Sequence, residues 1–263
     1  MKYLTSYEND SIKHILKLKN KKYRDLYGEY LIEGFKLVDE AIKAKEDIIS
    51  IYISSAVYDE KKNNYYLDSS LRNNIIIVEE NLFNKLVSTI NTQGIIACIK
   101  KKNELRFNDI NSNVLLLDRL QDPGNLGTII RTADASGFMK IIASKGTVDI
   151  YNDKTVRSAM GSIFHLDIIK EADLTTEIQE LKKKGFIILG SQICAKKIYT
   201  DLDSKNKYAL IIGNESKGVS MELLQLCDER IKIPIFGKAE SLNASVAAGI
   251  MMYHISSINN KLS

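Results

Sequence analysis

The stretch from Val114 to Phe138, VLLLDRLQDPGNLGTIIRTADASGF, joins a strand, a turn and a helix. Its opening apolar run is typical of a buried strand. Pro123 and Gly124 are residues that end strands, and Asn125 after them is predicted to cap the helix. Arg131 follows Asn125 by nearly two helical turns, so its long side chain can reach back toward the end of the strand. This stretch therefore predicts one unit of a layered α/β domain.

Four more apolar runs follow in the second half of the chain and are separated by helix-like segments. They are KIIAS at 140–144, FIILGS at 186–191, YALIIGNE at 208–215 and RIKIPI at 230–235. Strands that alternate with helices are typical of a mostly parallel sheet that is covered on both faces. Ligands of such sheets bind at the carboxyl ends of the strands, so we expect functional residues in the loops that follow them.

The first half of the chain predicts a smaller α/β unit. Its strand-like runs are DIISIYIS at 47–54, NNIIIVEE at 73–80 and GIIACIK at 94–100, with helix-like stretches between them. The polar segment from Lys100 to Asn113 lacks apolar periodicity and is interpreted as a linker. The sequence therefore predicts two domains, residues 1–105 and residues 106–263.

Composition and missing motifs narrow the class of protein. The 263 residues are 44% hydrophobic and 27% charged, as in ordinary globular proteins. No apolar run approaches the roughly 18 residues of a membrane helix, and the start is too polar for a signal peptide, which predicts a cytoplasmic protein. The three cysteines have no metal-ligand spacing, so neither a metal nor a disulfide is expected. The signatures of dinucleotide enzymes, P-loop NTPases, zinc proteases and α/β-hydrolases are absent, which disfavours those classes.

A cluster of basic residues lies near the start of the chain, which has a net charge of +4. The segment Ser11–Arg24, SIKHILKLKNKKYR, contains no acid and interleaves basic with aliphatic residues, which predicts one amphipathic basic helix. Such a helix can be a solvated outer face or an arm that contacts phosphates, and the sequence leaves both open. The candidate RNA-binding residues are Lys13, Lys17, Lys21, Lys22 and Arg24.

Two further strand-to-helix junctions carry polar residues at strand ends. In YALIIGNESKGVSMELL, Tyr208–Leu224, Glu215 lies just past a buried strand, where a carboxylate needs donor partners. In RIKIPIFGKAESLNASVAAGIMMYHI, Arg230–Ile255, a loop precedes a helix that is predicted to begin near Ser241. The small residues of this helix predict close packing, and the exposed amides at its start can bind a ligand. Taken singly, each polar residue has an ordinary structural explanation, such as a helix cap or a turn.

Together, the three junctions resemble the motifs of the SpoU (TrmH-type) family of RNA 2′-O-ribose methyltransferases. DPGNLGTIIRTADASGF is similar to the first motif, IIGNESKG to the second and IPIFGKAESLNASVAAGI to the third, in the same order. The resemblance implies that the second domain has the α/β trefoil-knot fold of the SPOUT superfamily and uses S-adenosylmethionine as methyl donor. The first domain is similar to the family's L30e-like substrate-binding domain, a small α/β fold. The resemblance also implies a homodimer.

The family's functional residues map onto positions of this chain. The catalytic residues that the resemblance implies are Asn125, Arg131, Glu215, Ser241 and Asn243. The cofactor-binding residues that it implies are Gly213, Asn214, Ile233 and Leu242. Because a guanidinium is effectively always protonated, stabilising a developing alkoxide or holding a phosphate suits Arg131 better than acting as a general base.

The expected function is S-adenosylmethionine-dependent methylation of a ribose 2′-hydroxyl in RNA. Ribosomal RNA is favoured over transfer RNA because the first domain resembles a ribosomal protein, which is an argument by analogy. The alternatives are a transfer RNA 2′-O-methyltransferase and a non-catalytic ribosome-assembly factor of the same fold. The intact set of five catalytic residues favours the enzyme.

Overall fold

The structure, a computed structural model, describes residues 2–61, 74–87, 91–102, 112–204 and 206–260. The chain divides into two compact units. The first contains Met1–Asn103 together with Tyr151–Phe164, and the second contains Glu104–Ile150 and His165–Ser263. The predicted domain boundary between residues 105 and 106 lies outside the described residues, as does most of the predicted linker.

Twelve strands and ten helices lie in the described part of the chain. The strands are β1 (Lys2–Leu4), β2 (Glu29–Glu33), β3 (Ile48–Ser54), β4 (Ile75–Val78), β5 (Ile95–Lys100), β6 (Val114–Leu117), β7 (Lys140–Ser144), β8 (Asp167–Ala172), β9 (Phe186–Ser191), β10 (Lys197–Ile198), β11 (Lys207–Ile212) and β12 (Glu229–Lys232). The helices are α1 (Asp10–Leu18), α2 (Lys21–Tyr27), α3 (Phe35–Lys43), α4 (Ser55–Lys61), α5 (Glu80–Leu86), α6 (Pro123–Ser136), α7 (Asp153–Ala159), α8 (Leu174–Lys183), α9 (Met221–Leu226) and α10 (Ala244–Asn260).

The first unit has a five-stranded mixed sheet in the order β1-β4-β3-β5-β2. β4 is parallel to β1 and β3, whereas β5 is antiparallel to β3 and β2. The three runs that the sequence predicts as strands form β3, β4 and β5. Helices α1 and α5 pack on this sheet, and Ile12, Ile15, Phe83 and Leu86 are buried in their shared core. The basic residues of α1 are thereby left on its outer side.

The basic segment forms two helices and not the one helix that its pattern predicts. α1 ends at Leu18, and α2 begins after Asn20 because the side chain of Asn20 accepts a hydrogen bond from the N–H of Lys22 at 2.9 Å. Arg24 is buried, and its guanidinium donates to the carbonyl oxygens of Leu18 and Lys19 at 2.9 and 2.8 Å. Arg24 therefore satisfies carbonyl groups at the end of α1 and is not part of the exposed basic face.

A polar cluster joins α1, β2 and β5 in the first unit. The thiol of Cys98 donates to Glu29 at 3.3 Å, and a ring nitrogen of His14 lies 2.6 Å from the same carboxylate oxygen. The side-chain nitrogen, oxygen and sulfur atoms of the three residues lie within 4.8 Å of one another. Burial and the neighbouring Glu29 raise the pKa of the Cys98 thiol, so it stays protonated and remains a donor. The sequence did not predict this cluster.

The second unit has a seven-stranded sheet in the order β10-β12-β9-β11-β6-β7-β8, and all its strand pairs are parallel. The prediction of an α/β domain with a mostly parallel sheet is confirmed. Ile178 of α8 and Leu223 of α9 are buried in one core with Ile188 of β9 and Ile211 of β11. The trefoil knot and the L30e-like fold of the first domain stay predictions.

Helices α6 and α10 begin at positions that differ from the predicted ones. Asp122, and not Asn125, caps α6, because its carboxylate accepts from the N–H of Asn125 at 2.8 Å. Pro123 is the first residue of α6, a position whose N–H would have no partner within the helix, so proline loses no hydrogen bond there. Asn243, and not Ser241, precedes α10, and its side chain accepts from the backbone N–H two residues later at 2.9 Å. Asn125 therefore lies in the first turn of α6, and Asn243 directly precedes α10.

Helices α6 and α10 pack against each other through small residues. A methyl group added at Gly249 of α10 would lie 3.4 Å from the side-chain methyl of Thr132, on α6. Larger side chains would separate the two helices and their N-terminal ends. Among the described residues, no helix has the length and apolar character needed to cross a membrane.

Candidate active site

The loops after β6 and β11 meet at the carboxyl edge of the second sheet, because these two strands are parallel neighbours. Asp118, directly after β6, is buried, and its carboxylate accepts from the N–H of Ser220 at 2.8 Å. The N–H of Asp118 donates to the carbonyl of Ile212, the last residue of β11, at 2.9 Å. These two bonds hold the loops together at the base of the site.

Glu215 lies in the loop after β11 and is exposed. One of its carboxylate oxygens accepts from the N–H of Asp122 at 2.9 Å, and the other accepts from the N–H of Gln121 at 3.1 Å. The side-chain amide of Asn125 donates to it at 3.3 Å. Partial burial raises the pKa of this carboxyl, but the surrounding N–H donors outweigh burial, so the pKa is lowered below its ordinary value. Glu215 is therefore ionised at neutral pH and anchors the start of α6.

Asn125 connects Glu215 to the third junction of the sequence. Its side-chain oxygen accepts from the side-chain amide of Asn243 at 3.0 Å, while its amide nitrogen donates to Glu215. The side-chain oxygen of Asn243 in turn accepts from the N–H and hydroxyl of Ser245, at 2.9 and 2.6 Å. Three of the five predicted catalytic residues thus form one continuous hydrogen-bond network.

The turn from Gly213 to Gly218 is a tight hairpin at the end of β11. Asn214 and Gly218 exchange backbone hydrogen bonds of 3.1 and 2.8 Å. A Cβ at Gly213 would lie 2.1 Å from backbone atoms of Gly218, so only glycine fits at this position. The side chain of Asn214 donates to the carbonyl of Arg119 at 2.8 Å, which ties this turn to the loop after β6.

A cavity of about 470 Å³ opens beside these loops. All four predicted cofactor-binding residues and two of the predicted catalytic residues line it: Gly213, Asn214, Ile233, Leu242, Glu215 and Ser241. Its volume lies within the roughly 300–1,000 Å³ that is typical of sites for small organic ligands. Apolar residues such as Ile233 and Leu242 and polar residues such as Asn214 and Ser241 line it together, which suits the adenosine and amino-acid parts of S-adenosylmethionine. The residues present therefore fit this cofactor.

Arg131 and Ser241 are not part of the hydrogen-bond network. Arg131 lies on α6 and is exposed, and its side chain has no hydrogen bond or ion pair with any residue that the structure describes. Ser241 is exposed at the wall of the cavity. Both side chains are therefore open to a ligand, and their predicted catalytic roles stay predictions.

The sequence did not predict the residues that hold the network in place. Asp118 and Gln121 bind the loop after β11, and Asp122 both caps α6 and donates its N–H to Glu215. Asp118 could have been found, because it directly follows the apolar run VLLL, and a carboxylate at the end of a buried strand needs donor partners, as was argued for Glu215. Exposed Cys194 also lines the cavity and was not singled out as a site residue.

The four lysines of the predicted RNA-binding set lie on the outer side of α1 and α2. Lys13 pairs with Glu8, and Lys21 pairs with Asp25 at 3.7 Å. The ammonium groups of Lys17 and Lys22 lie over the ring of Tyr23, at 5.9 and 5.8 Å from its centre. The ring of Tyr23 also stacks with that of Tyr27 at 6.1 Å. The surface therefore combines positive charge with aromatic rings.

The second unit is thus an α/β enzyme domain with a polar network and a small-molecule cavity at the carboxyl edge of its parallel sheet. Residues 112–253 match the SpoU rRNA Methylase family, and residues 9–97 match the MRM3-like substrate binding domain. The chain belongs to the SpoU rRNA methylase family, as its three motifs predicted, and is a methyltransferase.

Relatives from several bacteria support this assignment. The 23S rRNA (guanosine(2553)-2′-O)-methyltransferase RlmP of Bacillus subtilis (strain 168) is 37% identical over 255 residues, which cover 97% of this chain and 99% of RlmP. The crystal structure of an AdoMet-bound rRNA methyltransferase from Sinorhizobium meliloti is 30% identical, covers 97% of both chains and has a TM-score of 0.85. The SpoU methyltransferase AviRb from Streptomyces viridochromogenes is 25% identical, with a TM-score of 0.82 over 96% of this chain and 98% of AviRb. The predicted cofactor, S-adenosylmethionine, is confirmed.

Proposed function

We propose that this protein transfers a methyl group from S-adenosylmethionine to a ribose 2′-hydroxyl of ribosomal RNA, and that 23S rRNA is its substrate. The observation that carries the proposal is the network Glu215–Asn125–Asn243 beside the cavity, in a chain that is 37% identical to RlmP over nearly its whole length. In this proposal, residues 106–263 carry out transfer, residues 1–105 bind substrate RNA, and the enzyme works in the cytoplasm.

A 2′-hydroxyl is a poor nucleophile until its proton leaves, so positioning and electrostatics must supply most of the catalysis. S-adenosylmethionine, when bound, supplies a methyl group on a positively charged sulfur. Glu215 accepts a hydrogen bond from Asn125, and Asn125 accepts one from Asn243, so we assign these two amide groups to orienting the ribose hydroxyl. Ser241, at the cavity wall, adds a hydroxyl that can donate to the same ribose.

Arg131 is the residue that we assign to stabilising the attacking oxygen. An arginine guanidinium is effectively always protonated, so Arg131 can hold a substrate phosphate and stabilise the developing alkoxide without accepting a proton. Because the side chain of Arg131 is exposed and has no partner among the described residues, all its N–H donors are available to bind the phosphate and the alkoxide. We therefore assign Arg131 as an electrostatic catalyst rather than a general base, and in this proposal the proton of the 2′-hydroxyl passes to solvent water.

The first unit supports RNA binding through Lys17, Lys22 and the stacked rings of Tyr23 and Tyr27. Lysines neutralise phosphates, and tyrosine rings stack on unpaired bases. Arg24 is excluded from this surface because it is buried and binds carbonyl groups at the end of α1. The exposed lysines are accordingly proposed as phosphate contacts.

Exposed apolar residues on the second unit support a homodimer. Val246 and Tyr253 lie two turns apart on one face of α10 and are 50% and 53% exposed, and Phe236 is 96% exposed. Large apolar side chains grouped on a surface mark interaction sites. Light scattering should give the mass of a dimer for the wild type, and Val246→Glu together with Tyr253→Glu should shift it toward a monomer. A monomeric wild type would contradict the proposed homodimer.

Transfer of labelled methyl groups to unmodified 23S rRNA and to transfer RNA tests the function. We expect incorporation into 23S rRNA, a loss of at least 100-fold in rate for Arg131→Ala, and a partial loss for Arg131→Lys, which keeps the charge but not the bidentate geometry. Arg157→Ala, which removes an arginine from the surface of α7, is the matched control and should be unaffected. A fully active Arg131→Ala enzyme would remove Arg131 from the mechanism. Donor binding without transfer to rRNA, tRNA or immature ribosomal particles would instead favour a non-catalytic assembly factor.

A further inference from the structure

Arg119, in the loop after β6, has a left-handed backbone with φ of +53°. Among the described residues, the other non-glycine residues with positive φ are Lys45, Met160 and Glu171. Lys45 and Met160 follow the ends of helices, and Glu171 lies where the register of β7 and β8 shifts. Each of those three positions has a local structural explanation. Arg119 has none, and it lies in a loop of the candidate active site.

The backbone of Arg119 is fixed on both sides by the site. Its N–H donates to the hydroxyl of Ser144, at the end of β7, at 2.9 Å. Its carbonyl accepts from the side chain of Asn214 at 2.8 Å and from that of Gln121 at 3.3 Å. Arg119 makes these bonds in the left-handed conformation, which glycine adopts without steric cost and arginine does not. The presence of an arginine side chain at this position therefore calls for a reason beyond the fold.

The side chain of Arg119 is anchored at one end and open at the other. Its Nε donates to buried Asp118 at 2.9 Å, while the side chain as a whole is 53% exposed. The terminal nitrogens have no hydrogen bond or ion pair with any described residue. A guanidinium that is fixed through Nε and keeps its terminal edge, with one N–H from each terminal nitrogen, free is suited to bidentate recognition of a phosphate. Exposed Lys145 and Lys217 lie in the loops after β7 and β11, at the same edge of the sheet, and add positive charge.

We propose that Arg119 binds a backbone phosphate of the substrate RNA beside the target nucleotide and thereby contributes to substrate affinity. This inference rests on the proposed function, because it takes RNA as the substrate of the same site. In this proposal, Arg119 holds the RNA strand and takes no part in the transfer of the methyl group. Its loss is therefore expected to raise KM for RNA and to leave kcat and the affinity for S-adenosylmethionine unchanged.

Arg119→Gly tests the proposal, because glycine keeps the left-handed backbone and removes only the side chain. We expect KM for unmodified 23S rRNA to rise about tenfold, kcat to stay within twofold, and the slope of log affinity against log salt to fall by about 0.7, as for one phosphate contact to a single strand. The melting temperature should be unchanged or higher, because the backbone strain is relieved. Arg119→Lys should keep the salt slope and lose part of the affinity.

Lys45→Gly is the matched control, since it also removes one positive charge and one non-glycine residue with positive φ. Its RNA affinity and salt slope should equal those of the wild type. An Arg119→Gly enzyme with wild-type KM and salt slope would overturn the proposal. Loss of donor affinity together with a lower melting temperature would also overturn it and assign Arg119 a structural role through Asp118. RNA affinity is also measured directly, by fluorescence anisotropy. A wild type that binds RNA through Arg119 but transfers no methyl group would contradict the proposed function and leave the proposed role of Arg119 standing.

Discussion

Replacement of Glu215 by Gln should disconnect the network from the start of α6. The N–H of Asp122 donates to one carboxylate oxygen at 2.9 Å, and the N–H of Gln121 lies 3.1 Å from the other oxygen and 3.3 Å from the first. In either orientation, the new amide group of Gln places an N–H against one of these N–H groups. Glu215→Gln therefore weakens or loses at least one hydrogen bond and gains a contact between two donors.

The magnitude follows from the exposure of Glu215. A hydrogen bond to a charged group contributes about 1.5–3 kcal/mol, and water at this exposed site replaces part of it, so we take about 1.5 kcal/mol. If the network must be intact in the transition state, this corresponds to a loss of about tenfold in kcat. Affinity for S-adenosylmethionine should change less than threefold, because Glu215 is only one of many residues that line the cavity.

Single-turnover transfer with saturating donor and RNA measures this loss, and calorimetry measures donor affinity. Glu222→Gln, an exposed glutamate in the first turn of α9, is the matched control and should be fully active. If Glu215→Gln also keeps its rate constant within twofold, the network does not position the catalytic groups and the reasoning is refuted.

The same network predicts how stability depends on pH. The pKa of Glu215 is lowered in the folded protein, so its contribution to stability is complete above the unfolded value of about 4.3 and is lost as pH falls through the folded pKa. Chemical unfolding of the wild type between pH 7 and pH 3 should show a loss of stability at the acid end that is smaller in Glu215→Gln. Identical acid profiles for the two proteins would contradict a lowered pKa.

Three further predictions concern packing and accessibility. Gly213→Ala places a Cβ 2.1 Å from backbone atoms of Gly218 and should lower the free energy of unfolding in urea by about 3 kcal/mol, whereas Gly237→Ala, with no atom within 4 Å of the added Cβ, should change it by less than about 0.5 kcal/mol. Alkylation should modify Cys194 selectively, because Cys194 is exposed whereas burial raises the pKa of the other two thiols and protects them. Because Cys194 lines the cavity, its alkylation should block donor binding and should be slowed by S-adenosylmethionine; an alkylated enzyme that binds the donor normally would contradict this. Arg24→Ala should lower stability by about 2 kcal/mol, as judged by thermal unfolding, and should leave the salt slope of RNA binding unchanged; a reduced slope would return Arg24 to the RNA-binding surface.

The sequence predicts the central strands of both sheets but not the edges. The strands absent from the prediction are β1, β2, β8 and β10, and each of them is an outer strand of its sheet. Central strands are buried on both faces and read as continuous apolar runs, such as VLLL in β6. Edge strands are half exposed and carry charges, as in the stretches EYLIE and DIIKEA, so they lack that signal.

The residues of the candidate site were predictable, but their connections were not. Asn125 is 90 residues from Glu215 and 118 residues from Asn243 in the sequence, so only the strand order brings them together. The predicted cap of α6 was wrong, because both Asp122 and Asn125 are good capping residues. Only the geometry of the structure shows that Asp122 accepts the hydrogen bond, from the N–H of Asn125. The left-handed backbone of Arg119 is likewise held by hydrogen bonds to the distant loops of Ser144 and Asn214, and local sequence rules do not predict it.

The position of the transferred methyl group tests the central claim most directly. 23S rRNA that has reacted with the enzyme and labelled S-adenosylmethionine can be digested to nucleosides and analysed by mass spectrometry, with Arg131→Ala as control. We expect label in a 2′-O-methylnucleoside at a single position of the RNA, and little or none with Arg131→Ala. Label on a base, or equal labelling by the variant, would contradict it.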